Sequence, residues 1–212
     1  MSGSGQPAWE LTVQATTAEL THALAARLAV VLDAGDLLVL SGELGAGKTT
    51  FTQGLAEGLG VRAGVISPTF VLVRIHPNLA DGPRPGGPDL VHVDAYRLGS
   101  AAEIDDIDLE NTLDSAVTVV EWGRDRVEHL SNSRLEIDLH RAIGLAGAAT
   151  AGAAAGLPAQ ETPTEQGAGF LDFDTDETDE PRTIVLRGYG PRWPAAPDLA
   201  FPEGDPHADP RH

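Results

Sequence analysis

The sequence has no cysteine. That excludes disulfide bridges, thiol catalysis and cysteine-bound zinc, and it is what a cytoplasmic protein shows. Lysine is almost missing too: Lys48 is the only one in 212 residues. Basic residues of either kind are few, 14 Lys and Arg against 32 Asp and Glu, and the formal net charge is −18 at pH 7. So acidic a chain makes a poor direct partner for nucleic acid or an anionic membrane, which want clustered Lys and Arg. The opening MSGSGQPAW lacks a basic stretch followed by an apolar one, so no signal peptide is expected. One tract, residues 142–159, carries no charge over a length that suits a membrane helix. It holds nine alanines and four glycines, and its large aliphatics are Ile143, Leu145 and Leu157 alone. Insertion would be weakly driven, and the tract reads as a low-complexity linker.

The lone lysine falls inside the most informative stretch, LLVLSGELGAGKTT at residues 37–50. It reads as a buried strand, a glycine-rich turn and the start of a helix. Gly42, Gly47, Lys48 and Thr49 fill the phosphate-loop pattern G-x-x-x-x-G-K-[ST]. Glycines let the backbone curl so that successive N–H groups address one anion. The following helix offers the phosphates its positive end. On this reading Leu44, Gly45, Ala46, Gly47, Lys48, Thr49 and Thr50 bind the phosphates, Lys48 by its ammonium group, and the Thr49 hydroxyl is a ligand to Mg²⁺. Phe51, Leu55 and Leu59 then recur at helical spacing. With one lysine the Asn-Lys-x-Asp guanine-reading motif cannot exist, and LSGGQ is absent; ATP is therefore the expected nucleotide.

In chain order, residues 1–8 read as a loose tail. The main domain runs over 9–141. A short strand includes Leu11 and Val13. A helix follows, with Thr16 and Glu19 as a capping box and Leu20, Leu24, Leu28 and Val31 on its buried face. Gly58 and Gly60 are stop signals after the phosphate-loop helix. A strand is expected over 70–75, an exposed hairpin tip or insertion over 77–89, and a buried strand over 90–93 ending at Asp94. Two short helices occupy 95–114, a buried strand 116–120 ends at Glu121, and a short helix spans 124–130. Residues 134–139 alternate apolar and charged, the pattern of a half-exposed antiparallel strand paired with 183–187. Residues 142–181, whose end has six acids in ten residues, read as a disordered acidic insertion. Residues 182–193 supply the final strand, and 194–212 read as a disordered tail.

Ligands of open α/β sheets sit beyond the carboxyl ends of the strands. Two buried strands here end in an acid, Asp94 and Glu121. Asp94 has the form of a Walker B residue, holding Mg²⁺ directly or through water. Ala95 follows it where many ATPases carry a water-polarising glutamate, so Glu121 is the candidate for metal ligand or water-positioning group. Thr69 reads by local pattern as a turn residue beside Pro68, and its place after the phosphate-loop helix is also that of a γ-phosphate-sensing switch residue. Trp122 and His92 read as core residues, and Arg97 and Arg124 as surface ion pairs or phosphate neutralisers. Three activities share these parts: an ATPase, a small-molecule kinase and a slow nucleotide-dependent interaction switch.

GELGAGKTTF (42–51), ISPTF (66–70), HVDAYRL (92–98) and VVEWG (119–123), in that order and spacing, resemble the TsaE family. The resemblance implies an α/β fold, a P-loop NTPase-like three-layer sandwich with a mostly parallel central sheet and a C-terminal antiparallel strand pair. It implies an Mg²⁺-dependent ATPase of tRNA threonylcarbamoyladenosine biosynthesis working with TsaB and TsaD, touching tRNA only through that complex. It assigns catalytic roles to Lys48, Asp94, Glu121 and Thr69, and metal contacts to Thr49, Glu121 and Asp94. Val71 replaces a second threonine usual after S-P-T-[FY], and Ala95 replaces a larger aliphatic.

Overall fold

The computed structural model describes residues 5–68, 70–98, 100–105, 107, 109–141 and 180–199. The expected insertion at 142–181 falls almost wholly outside them, as do Thr69, residues 1–4 and residues 200–212.

Seven strands form one sheet: β1 (Trp9–Ala15), β2 (Leu37–Gly42), β3 (Val73–His76), β4 (Asp89–Asp94), β5 (Ala116–Glu121), β6 (Arg134–Arg141) and β7 (Arg182–Tyr189). Their order is β1-β7-β6-β2-β5-β4-β3. The central four, β6-β2-β5-β4, are parallel to one another. β7 and β1 extend one edge antiparallel, and β3 closes the other. Helices α1 (Ala18–Ala29) and α2 (Lys48–Leu59) cover one face. The short α3 (Ala101–Asp105) and α4 (Glu110–Leu113) lie on the other. Alternate residues of β2 serve the two cores: Leu38 and Leu40 join the α1/α2 side, Leu37 and Val39 the opposite one. This two-sided burial is why the central strands read as unbroken apolar runs, and the fold is the α/β sandwich expected.

Several local expectations shift. The N-cap of α1 is Thr17, whose Oγ1 accepts the Leu20 amide at 3.2 Å, so Glu19 is one place too early for a capping box with it. Leu24 and Leu28 are fully buried, but Val31 lies beyond the helix and is 39% exposed. Gly60 does end α2, in left-handed conformation at φ 69°. Gly58 is helical instead. A Cβ there would stand 2.3 Å from the Ala26 carbonyl oxygen, and one on Gly54 2.1 Å from that of His22. The two glycines, one turn apart, let α2 press directly on the backbone of α1.

The strand expected over 70–75 begins only at Val73, because Phe70 turns and is 78% exposed. Residues 77–88 do join a hairpin, β3 to β4, but its tip is anchored. Asn78 Nδ2 donates to the carbonyls of Leu59 and Arg84, and Arg84 Nη1 to those of Ala29 and Leu32. Residues 124–130 form turns, not a helix.

β6 is the largest departure. Arg134 through Leu139 are all buried. Its charged face is covered by side chains of the same strand and of other segments instead of by water. Arg134 pairs with Glu136 at 2.8 Å and lies 4.2 Å over the Tyr189 ring, while Asp138 takes both Arg124 and Arg187. Beyond β7, Trp193 and Leu199 return to the α1/α2 core, so the described part of the expected tail, 194–199, is partly packed.

Candidate functional site

The loop between β2 and α2 curls as its glycines allow. Gly42, Gly45 and Gly47 have φ of 154°, 74° and 96°. At Gly42 close approach adds to conformation, since a Cβ would meet the Leu139 carbonyl oxygen at 2.5 Å. Gly47 caps α2 with no side-chain hydrogen bond, so the first helix amides are not satisfied by a capping side chain and suit an anion. Leu44 projects outward, 69% exposed, whereas Ala46 is buried and roots the loop in the core. Thr50 is half-buried behind it.

Lys48 is buried, and its Nζ donates to the carbonyls of Gly42 (3.0 Å) and Glu43 (2.9 Å). The same ammonium stands 3.9 Å from the centre of the Trp122 ring. Trp122 is therefore a wall of this site and not plain core. It follows β5 in left-handed conformation, φ 60°, with its amide donating to Leu40 O at 2.9 Å. Tyr96 meets it edge-on at 5.3 Å.

Glu121 pairs in register with Leu40 of β2 and Asp94 of β4, which brings both acids to the end of the sheet from which the loop rises. Glu121 is 2% exposed. Its Oε1 accepts from Thr49 Oγ1 at a long 3.4 Å and from His92 Nε2 at 2.8 Å. A carboxylate offers only acceptors, so the ring proton sits on Nε2; Nδ1 of His92 is buried with no partner among the described residues. His92 is thus a core histidine that also belongs to the site. Asp94 is equally buried, and Oδ2 accepts from Ser67 Oγ (3.2 Å) and Oδ1 from the Tyr96 amide (2.9 Å). It ties the loop before β3 to the turn after β4.

The structure brings Lys48, Thr49, Glu121 and Asp94 to one end of the sheet. Thr69 is outside the described residues. Arg124 is taken by Asp138 and Arg97 lies 4.9 Å over Phe70. Sequence reading missed Arg182, which β7 delivers to the flank of Gly47; no short-range pattern marks it. Ser67, the first residue of the S-P-T motif, carries no role in the sequence reading, yet it donates to Asp94.

The donor set suits a hard cation: one hydroxyl and two buried carboxylates, with phosphate oxygens expected to complete the shell. Among the described residues no group of three His, Cys, Asp or Glu could hold a metal unaided, so Mg²⁺ would depend on the nucleotide for its remaining ligands. Also among the described residues, no helix is long and apolar enough to cross a membrane.

The family model described as "Threonylcarbamoyl adenosine biosynthesis protein TsaE" matches residues 15–144. A tRNA threonylcarbamoyladenosine biosynthesis protein TsaE of Streptomyces coelicolor is 46% identical over 174 residues, 82% of this chain and 93% of that protein. Those of Mycobacterium bovis and Bacillus subtilis are 47% and 42% identical, each over 58% of this chain and 74% and 73% of their own lengths. The crystal structure of Bacillus subtilis YdiB superposes with a TM-score of 0.54 at 29% identity, covering 86% of this chain and 87% of that one.

Proposed function

The chain belongs to the TsaE family of threonylcarbamoyladenosine biosynthesis proteins, and from that premise we propose that it binds and hydrolyses ATP as a cytoplasmic subunit of the machinery making N6-threonylcarbamoyladenosine. The target is position 37 of tRNAs reading ANN codons, the partners are TsaB and TsaD, and the tRNA is held by the complex. The net charge of −18 suits a subunit that leaves tRNA to its partners. The observation that carries the reading is the convergence of Lys48, Thr49 and Glu121 around one glycine-rich loop.

Each residue then has a task. The amides of residues 44–50 and the Lys48 ammonium gather the phosphates, the lysine exchanging its contacts with Gly42 O and Glu43 O for phosphate oxygens. Thr49, Glu121 and Asp94 hold Mg²⁺, which when bound neutralises charge developing on the transferred phosphoryl group. Glu121 also orients the attacking water, with His92 fixing its carboxylate. Thr69 is the residue that senses the γ-phosphate.

Phosphate release by the purified chain, alone and with TsaB and TsaD, tests this. The parent is expected to release phosphate in an Mg²⁺-dependent manner, with Lys48→Ala and Glu121→Gln reduced about a hundredfold. Parent-level hydrolysis by Glu121→Gln would remove Glu121 from the chemistry. ATP binding with no hydrolysis under any condition would leave the chain an interaction switch.

A further inference from the structure

In the turn after β5, two residues other than glycine adopt the left-handed conformation, Trp122 at φ 60° and Asp125 at φ 63°. Such conformations persist only where surrounding contacts over-determine them, and they gather at functional sites. The turn is tight at its centre, where a Cβ on Gly123 would stand 2.8 Å from Val120 Cγ1. It closes with the Arg126 amide on the Gly123 carbonyl at 3.0 Å. The chain therefore doubles back, and the half-buried Arg126 side chain returns to the strand ends it has just left.

There Arg126 Nη1 donates to two carbonyls, that of Ala95 and, at 3.2 Å, that of Trp122. Each belongs to the residue directly after a strand-end acid: Ala95 follows Asp94, and Trp122 follows Glu121. The ladder of β4 with β5 ends at the pair Asp94 and Glu121. The Ala95 amide adds one bond, to Glu121 O at 2.9 Å, and the guanidinium carries the link on from there. Both oxygens are bonded to one nitrogen, so they cannot separate without breaking a charge-assisted hydrogen bond. These bonds go to the backbone and leave the carboxylate oxygens to a metal.

Cation chemistry gives that restraint a use. Mg²⁺ demands near-octahedral geometry at about 2.1 Å, whereas Ca²⁺ accepts more ligands, at about 2.3–2.6 Å, in looser arrangements. Two acids held at a fixed spacing suit the smaller, stricter ion; acids free to spread suit the larger one. We infer that Arg126 is a positioning residue which, by clamping the turns after β4 and β5, sets the spacing of Asp94 and Glu121 and so makes the cation site selective for Mg²⁺ over Ca²⁺. This rests on reading the two acids as cation ligands and adds the group that decides which cation they prefer.

The test is calorimetric titration of the full chain, parent, Arg126→Ala and Arg126→Gln, with the non-hydrolysable β,γ-imido analogue of ATP in Mg²⁺, in Ca²⁺ and in EDTA, beside the melting temperature of each protein. The parent is expected to bind more tightly in Mg²⁺ than in Ca²⁺. Arg126→Ala should keep the parent affinity in EDTA and lose about tenfold in Mg²⁺, as for groups behind metal ligands. Its affinity in Ca²⁺ should change little, so the preference for Mg²⁺ falls by about the same factor. Arg126→Gln, which keeps a donor without the charge, should show an intermediate loss. An unchanged ratio of the Mg²⁺ and Ca²⁺ affinities in Arg126→Ala overturns the inference, whatever the melting temperature does, since the clamp would then be structural. So does an equal loss in EDTA, which would put the arginine on the nucleotide. If Arg126→Ala does not fold, the parent ratio in Arg126→Gln overturns the inference by itself. A parent that binds as well in EDTA as in Mg²⁺ would instead bring down the reading of Asp94 and Glu121 as cation ligands, and the inference with it.

Discussion

His92 Nε2 and Glu121 Oε1 are 2.8 Å apart, and neither side chain reaches solvent appreciably. The two residues sit on adjacent parallel strands, β4 and β5. Thr49 addresses the same oxygen. Both donors fall on Oε1, so the Glu121 carboxylate is held by a histidine two residues before Asp94 and by the first turn of α2.

Removing that histidine is expected to act through Glu121. His92→Ala should lower ATP turnover and raise the Mg²⁺ concentration needed for half-maximal nucleotide binding, each by about tenfold, as for supporting groups behind metal ligands. His92→Gln, which keeps a donor, should restore part of both. Titration of Mg²⁺ at fixed ATP reads the shift, and an unchanged Mg²⁺ requirement would reduce His92 to packing.

The contact of Lys48 with Trp122 supplies a reporter. When phosphate draws the ammonium off the ring, now 3.9 Å away, the tryptophan emission should change. The chain has three tryptophans. The change is expected to survive Trp9→Phe with Trp193→Phe and to vanish in Trp122→Phe.

Gly54→Ala tests the helix contact. Alanine is the better helix former by about 1 kcal/mol, yet its Cβ would stand 2.1 Å from the His22 carbonyl oxygen. Backbone cannot yield as a side-chain tip does, so overpacking wins. A net loss of roughly 2 kcal/mol is expected, about 4–8 °C in melting temperature. Thermal unfolding followed by circular dichroism checks it.

Burial, then the nearby charges of His92 and Arg74, hold the His76 pKa below its ordinary 6.5. On acidification the unfolded chain takes up this proton first. The stability carried by a neutral His76 is whole above pH 6.5 and is lost progressively as pH falls below it toward the folded value. Denaturant unfolding on either side of 6.5 should show the parent weakening more on the acid side than His76→Asn does.

Much of the loop was legible beforehand because its signals are contiguous. Glycines, one lysine and one threonine at fixed spacing specify a conformation through local backbone freedom and hydrogen bonding. The strands ending at Asp94 and Glu121 were legible for a related reason: burial on both faces leaves an apolar run that stops where the sheet ends. By contrast, the helix expected over 124–130 gave way to turns in which Arg126 donates to the carbonyls of Ala95 and Trp122. Tertiary partners there outweighed local preference.

By itself the sequence determined the phosphate loop, the two-sided sheet and the strand-end acids, since each depends on residues within a turn or a strand of one another. Only the tertiary structure decided that His92 grips Glu121, that Arg182 flanks Gly47, and that the charged face of β6 is buried by Arg124, Arg187 and Tyr189. Those contacts join distant segments through strand order and register, which no window of neighbouring residues encodes.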